Sequence, residues 1–183
     1  MYEEIKTASI IILSYNSRED LAESIPSFIA QTYKNFEIIV VDNASTDESE
    51  KFVKENYPGI KVIQTGKNIG YAAGNNAGFE VAKGEYIVVV NPDVIADPDW
   101  LAELISPLEE DPSITATTSK VLIYHNKARI NTCANINHYT GLTFCRGLNH
   151  PVENFKTRET VAAISGCSFA IRREMLDHLS GFD

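Results

Sequence analysis

From Ser9 to Val90, short and wholly apolar runs alternate with amphipathic stretches. Strand–helix–strand units leave this pattern when their parallel sheet is buried on both faces. The runs at 9–14, 36–42, 60–65 and 86–90 predict strands. Between the first two, Leu21, Ile25, Phe28 and Ile29 recur at helical spacing, and Ser17 with Asp20 has the spacing of a capping box. Pro26 predicts a bend in that helix or a place near its first turns. A second helix is predicted to open at Ser45, where Ser45-Thr46-Asp47-Glu48 repeats the capping-box spacing, to bury Phe52 and Val53, and to end at Pro58-Gly59. The third, 70–83, is rich in small residues: Ala72, Ala73, Gly74, Ala77 and Gly78. Glycine costs about 1 kcal/mol relative to alanine inside a helix, so something is expected to approach this backbone closely.

After Val90 the pattern changes. Asn91-Pro92-Asp93 punctuates a loop, and a helix over 98–110 is predicted to turn Trp100, Leu101, Leu104, Ile105 and Leu108 inward, with Asp97 and Asp99 as its caps. One or two strands are expected within 114–124. Residues 125–158 are the least periodic part of the chain and predict loops with a hairpin through 139–145. A strand over 160–165, a turn at Ser165-Gly166 and a short helix over 170–179 complete the reading. There is no internal repeat and no low-complexity tract.

The 183 residues suit a single domain, and 44% hydrophobic with 22% charged residues is the profile of an ordinary globular chain. A net charge of −9 argues against a nucleic-acid partner and against docking of the whole surface onto anionic lipid. A small polyanion such as a nucleotide remains compatible, because helix N-termini and a metal ion can meet its charge locally. The apolar runs are too short to span a bilayer, and residues 1–7 lack a basic-then-apolar leader, so a cytoplasmic location is expected. Cys133, Cys145 and Cys167 are odd in number and lack metal-ligand spacing, which predicts reduced thiols.

Ligands of open α/β sheets bind outside the carboxyl ends of the strands. Four polar clusters fall there: Ser14-Tyr15-Asn16, Asp42-Asn43-Ala44-Ser45, Gly66 to Gly70 and Asn91-Pro92-Asp93. Asp42 can accept a hydrogen bond from a pyrimidine N–H or a ribose hydroxyl, or it can simply fix its turn. Tyr15 can stack a base or wedge a loop. The loop at Gly70 leads into a helix N-terminus suited to phosphate, yet it fits neither G-x-G-x-x-G nor the Walker pattern, which disfavours a dinucleotide dehydrogenase and a P-loop NTPase. Asp93, just beyond a buried strand, can ligate Mg²⁺ or Mn²⁺ completed by diphosphate and water, or it can belong to a metal-free Asn-Pro-Asp turn.

Together these stretches resemble the family 2 glycosyltransferases of the GT-A fold, and within them the rhamnosyltransferase-like branch. The resemblance rests on Ser9-Ile-Ile-Ile-Leu-Ser-Tyr-Asn16, on Glu37-Ile-Ile-Val-Val-Asp-Asn-Ala-Ser-Thr-Asp47, on Asn68 to Gly78, on Tyr86-Ile-Val-Val-Val-Asn-Pro-Asp93, and on Ser165-Gly166-Cys167 through Arg172-Arg173 to Gly181-Phe182-Asp183. It implies a three-layer α/β/α fold with a mostly parallel central sheet, in which 1–95 form a nucleotide-binding half and 96–183 an incomplete acceptor-binding half. It implies that Ser14, Tyr15, Asn16, Asp42, Asn43, Asn68, Gly70 and Asn75 serve the nucleotide, that Asn91, Gly166 and Cys167 serve sugar or acceptor, and that Asp93 holds Mn²⁺ or Mg²⁺. The implied reaction is inverting transfer from a UDP- or dTDP-sugar to a glycan or other hydroxyl acceptor.

Two departures stand out from that pattern. Asn91 occupies the place of the first Asp in the family's D-x-D metal motif, and the chain ends before the carboxylate motif that supplies the family's catalytic base. The expectation is a chain truncated at its C-terminus, competent to bind donor, deficient in transfer and prone to self-association. In the intact enzyme a location at the inner face of the membrane would also suit a surface-polysaccharide acceptor. Two alternatives remain: a nucleotidyltransferase, disfavoured because the first loop, Ser14-Tyr15-Asn16-Ser17-Arg18, has no glycine, and a non-catalytic nucleotide-sugar-binding or interaction module.

Overall fold

A computed structural model describes residues 7–183, so the reading of the first six residues as leaderless lies outside what is described. A central sheet is built from β1 (Ala8–Ser14), β2 (Phe36–Asp42), β3 (Lys61–Gln64), β4 (Tyr86–Val90), β5 (Ala116–Thr118) and a late strand, Ser168–Arg172. The order is β3-β2-β1-β4, then the late strand, then β5. β1, β2, β3 and β4 run parallel, and the late strand is antiparallel to both of its neighbours. Strand order therefore reverses between β1 and β4.

Alternate residues of each strand enter two separate cores. On one face, Ile10, Ile12, Val40, Val88 and Val90 pack against α1 (Arg18–Ile29), α2 (Ser49–Asn56) and α4 (Trp100–Glu110) through Leu21, Ile25, Phe28, Val53, Leu101, Ile105 and Leu108. On the other, Ile11, Ile39, Val41, Ile87 and Val89 meet α3 (Tyr71–Val81) and α5 (Arg173–Leu179). Burial on both sides explains why these strands read as unbroken apolar runs. The small residues of α3 are explained by the sheet. A β-carbon on Gly74 would lie 2.4 Å from Leu13 Cδ1, and one on Gly78 would lie 2.6 Å from Ile11 Cγ2 and 3.0 Å from Val41 Cγ2. The close neighbour predicted from sequence is the fold itself.

Between β5 and the late strand lie two small hairpins, β6 (Val121–Ile123) with β7 (Asn126–Thr132), and β8 (Asn135–Asn137) with β9 (Thr143–Cys145). Accordingly the late strand is β10. The hairpin expected through 139–145 forms over 135–145, with its first strand before the expected bounds, and β7 interrupts the segment expected to be loop. The strand expected over 160–165 is not formed: Ala163 makes only an isolated bridge to Asn135, and the ordered strand comes later, at β10. In consequence the helix expected over 170–179 begins only at Arg173. Val161 and Ile164 carry strand propensity, yet it is Ser168–Arg172 that inserts between β4 and β5, where it is buried throughout.

The expected caps are also rearranged. Ser17 makes no cap; its hydroxyl bonds the Tyr15 carbonyl. Asp47 instead caps two helices at once, its Oδ2 accepting from Arg18 N at 2.9 Å and its Oδ1 from Ser49 N at 3.1 Å and from the Ser49 hydroxyl. So α2 opens at Ser49 rather than Ser45, whose hydroxyl accepts from Asn16 N at 2.9 Å. Asp99 sits at the start of α4 without capping it and accepts from Thr32 Oγ1 at 2.8 Å, while Asp97 contributes only its carbonyl to Trp100 N. Pro26 lies in the last turns of α1. Consecutive arginines point to opposite faces of the sheet: Arg172 bonds the Leu108, Asp111 and Ile114 carbonyls past α4, and Arg173 bonds those of Ala82 and Gly84 past α3. Cations there meet the negative ends of both helices.

Candidate functional site

At the carboxyl ends of β1 and β4, where strand order reverses, there is an open cleft of about 380 Å³. Its walls are Leu13, Tyr15, Ser17 and Asp20 after β1, Asn43 after β2, Asn68, Gly70 and Tyr71 at the start of α3, and Asn91, Pro92 and Asp93 after β4. The sequence-derived residues Tyr15, Asn43, Asn68, Gly70, Asn91 and Asp93 thus meet in one place. Ser14, Asn16, Asp42, Asn75, Gly166 and Cys167 do not line the cleft.

Asn43 organises one wall. Its Nδ2 donates to Asn68 Oδ1 at 3.0 Å and Gly70 O at 3.4 Å, and its Oδ1 accepts from Ile69 N at 3.0 Å and Thr65 Oγ1 at 3.1 Å. The amide is saturated by the protein, so Asn43 shapes the loop. Asn68 Oδ1 also accepts from Gly70 N at 3.0 Å, which draws the loop into the turn that starts α3. At that turn Gly70 has φ 84° and ψ −178°, a conformation essentially reserved for glycine. The first-turn amides that follow have no intrahelical acceptor and form the positive end of the helix.

Asn16, with φ 53°, spends its side chain on Thr46, accepting from the backbone N–H at 2.8 Å. Asp42, 1% exposed, accepts from Ser45 N through Oδ1 at 2.7 Å, while its Oδ2 has no partner among the described residues. Ser14 Oγ, facing the same strand register, is likewise buried and unpartnered. Asn75 is buried in α3, with Nδ2 on Tyr71 O at 2.9 Å and Oδ1 unsatisfied. Buried polar atoms without partners are uncommon, and a group on a bound molecule is one way to satisfy them.

Asp93 is exposed on the cleft wall, and Asn91 N donates to Cys167 O at 3.0 Å, tying the β4 loop to the segment before β10. Tyr71 makes a second tie, its hydroxyl donating to Gly166 O. Burial pushes the Tyr71 phenol up to about 12, with Cys167 adding to the shift. Burial first and Asp93 second push the Cys167 thiol up to about 11. Gly166 and Cys167 thus stand behind the cleft, reaching it through Tyr71 and Asn91.

Asp20 and Tyr71 were not picked out by sequence reasoning as site residues. Asp20 reads as half of a capping box, but with Asp47 as the cap its carboxylate faces the cleft. Desolvation, and then the charges of Asp93, Glu19 and Glu23, raise its pKa. The usable signal is position, since a first-turn side chain after a strand at the switch point faces the crevice. Among the described residues no three His, Cys, Asp or Glu side chains gather closely enough to hold a metal by themselves. Asp93 with Asp20 instead suits a Mg²⁺ or Mn²⁺ ion whose shell is completed by diphosphate oxygens and water, the usual arrangement where one or two carboxylates meet a nucleotide.

The glycosyl transferase family 2 model matches residues 9–180. A glycosyltransferase of Haemophilus influenzae is 34% identical over 128 residues, covering 68% of this chain and 40% of that protein. The O-antigen biosynthesis protein RfbC of Myxococcus xanthus is 29% identical over 184 residues, covering 94% of this chain and 14% of that one. The mannosyltransferase PcManGT of Pyrobaculum calidifontis, solved with GDP-Man and Mn²⁺, superposes with a TM-score of 0.71 at 22% identity, over 97% of this chain and 48% of that one. The chain therefore spans less than half the length of these relatives, and the architecture it shares with the solved neighbour is the GT-A fold. By the match across nearly its whole length, the chain belongs to glycosyl transferase family 2.

Proposed function

We propose that this chain is the donor-binding part of an inverting glycosyltransferase of the rhamnosyltransferase-like branch, acting on a UDP- or dTDP-sugar and a glycan acceptor in the cytoplasm, at the inner face of the membrane. The observation that carries the reading is the convergence of Tyr15, Asn68, Gly70 and Asp93 on one cleft at the switch point, beside the unpartnered Asp42 Oδ2. Asp42 is assigned the nucleoside, accepting an N–H of the base or a ribose hydroxyl. Tyr15 offers its ring for stacking, and the first-turn amides of α3, held open by Asn43 and Asn68, face the diphosphate. Asn91 contacts the sugar, and Gly166 with Cys167 backs it toward the acceptor side.

Asp93, with Asp20, would hold Mn²⁺ or Mg²⁺, which when bound offsets charge on the leaving diphosphate. With Asn91 in place of a carboxylate, the protein brings little charge of its own to that ion, so the nucleotide completes the site. Transfer with inversion needs a base on the acceptor side of the sugar, and no residue of this chain is assigned that role. The acceptor is a surface polysaccharide or related glycan, a reading in keeping with the O-antigen relative.

Calorimetric titration of UDP, dTDP and GDP, with and without Mn²⁺, tests this directly. One nucleotide is expected to bind in a metal-dependent manner, and Asp93→Ala is expected to remove the metal dependence. At a hundred times the dissociation constant the bound nucleotide would add about 2.7 kcal/mol of stability. Absence of binding to any nucleotide under either condition would sink the donor-site reading and favour the non-catalytic module.

A further inference from the structure

The net charge of −9 conceals a strong internal asymmetry. Residues 119–167, between β5 and β10, carry six Lys and Arg against two Glu, Glu153 and Glu159, a balance of +4 that leaves −13 for the rest of the chain. Arg146 pairs with Glu159 and Arg158 with Glu103, while Lys120, Lys127 and Lys156 stay on the exposed surface. The same segment holds six of the eleven exposed large hydrophobic side chains among the described residues. Four belong to the β8–β9 hairpin: Ile136 and Phe144 are directly opposed across the two strands, so they share a face, and Tyr139 and Leu142 form the tip at 93% and 59% exposure.

An apolar tip on a basic module, carried by an otherwise acidic protein, is the composition that favours an anionic lipid surface. Lysines there gain from the negative surface potential, and Tyr and Phe rings settle at the headgroup level. A neutral or basic partner would leave the charge asymmetry unused. The hairpin is joined to the cleft side of the molecule through Asn135, which bonds Ala163 O and Ile164 O just before Ser165-Gly166-Cys167. A surface seated on the hairpin is therefore continuous with the segment that backs the cleft.

We infer that the β8–β9 hairpin, with Lys127 and Lys156, docks this protein onto an anionic phospholipid surface. The inference rests on charge and exposure outside the cleft, so it can fail while the donor site holds. The test is co-sedimentation of the protein with phosphatidylcholine–phosphatidylglycerol vesicles and with phosphatidylcholine vesicles, at low and high salt, alongside Leu142→Asp/Phe144→Asp and Lys127→Glu/Lys156→Glu. Binding is expected to the anionic vesicles only, to weaken with salt, and to fall more than tenfold in each double variant while the thermal midpoint stays unchanged. No binding to anionic vesicles, or binding undiminished in both variants, would overturn it. So would light scattering that shows self-association lost in Leu142→Asp/Phe144→Asp without any lipid binding by the parent, since the hairpin would then cover a second copy.

Discussion

Individual side chains decide the local geometry here more through what they hold than through what they present. Asp47 is the clearest case. Burial alone would raise its pKa, but bonds from the Ser49 hydroxyl and from the Arg18 and Ser49 amides outweigh that and hold its carboxyl below the usual range. Its contribution to stability is therefore fully present above the unfolded carboxylate pKa and lost as pH falls through the lowered folded value. Asp47→Ala should cost about 0.5–2 kcal/mol at neutral pH, the range for losing a helix cap, and its thermal midpoint should approach that of the parent below pH 4, measured by circular dichroism. The thiols give a second test at this scale. Cys145 is exposed, whereas burial raises the pKa of both Cys133 and Cys167. Labelling with a thiol reagent at pH 8 should modify Cys145 first, the half-buried Cys167 more slowly and the buried Cys133 only on unfolding; labelling of Cys133 as fast as Cys145 would contradict its position.

At the scale of elements, α3 lies close on the sheet because Gly74 and Gly78 leave room. Ala at either position gains about 1 kcal/mol of helix propensity, yet at Gly78 the new methyl meets the stiff, fully buried Ile11 and Val41, while at Gly74 it meets the flexible end of Leu13. Gly78→Ala should therefore destabilise by about 1–3 kcal/mol, as overpacking does, and Gly74→Ala by less, a ranking that urea denaturation can check. The same contrast shows what the sequence made legible. Periodicity located β1, β2, β4, α3 and α4 within a few residues, because each element buries a face whose spacing its own residues record. Capping was misread, since Ser17 and Ser45 have the right spacing but Asp47, distant in sequence from α1, wins both helix starts. β10 was misplaced because its neighbours β4 and β5, which decide which apolar stretch becomes a strand, lie roughly 50 to 80 residues away. In the cleft, Tyr15, Asn68 and Asp93 were legible from their place after strands, but Asp20 and Tyr71 acquire their orientation only from helix starts that spacing alone does not fix.

Across the whole molecule, stability is unevenly distributed, and the division falls between the sheet with its two cores and the segment of small hairpins. The strands β1, β2 and β4 are buried almost throughout, whereas among residues 119–163 only Ile130, Thr132, Cys133 and Ala134 are buried, and β6–β7 and β8–β9 are two-stranded ribbons. Two-stranded hairpins are marginal without a packed face, so this segment depends on its few ties to the body, such as Ser119 to Ser168, Tyr124 to Glu23 and Arg158 to Glu103, and should open without unfolding the sheet. Hydrogen exchange read by mass spectrometry should then show β1, β2 and β4 exchanging only through global unfolding, and 119–163 exchanging orders of magnitude faster. A bound nucleotide should slow exchange at 66–71 and 91–93, where the cleft walls meet it, and leave 136–145 unchanged, whereas anionic vesicles should slow 136–145 alone. If nucleotide protected the hairpin as strongly as the cleft, the two regions would form one cooperative unit. The basic module would then have to be read as part of the donor site, with its cations serving the diphosphate rather than a lipid surface.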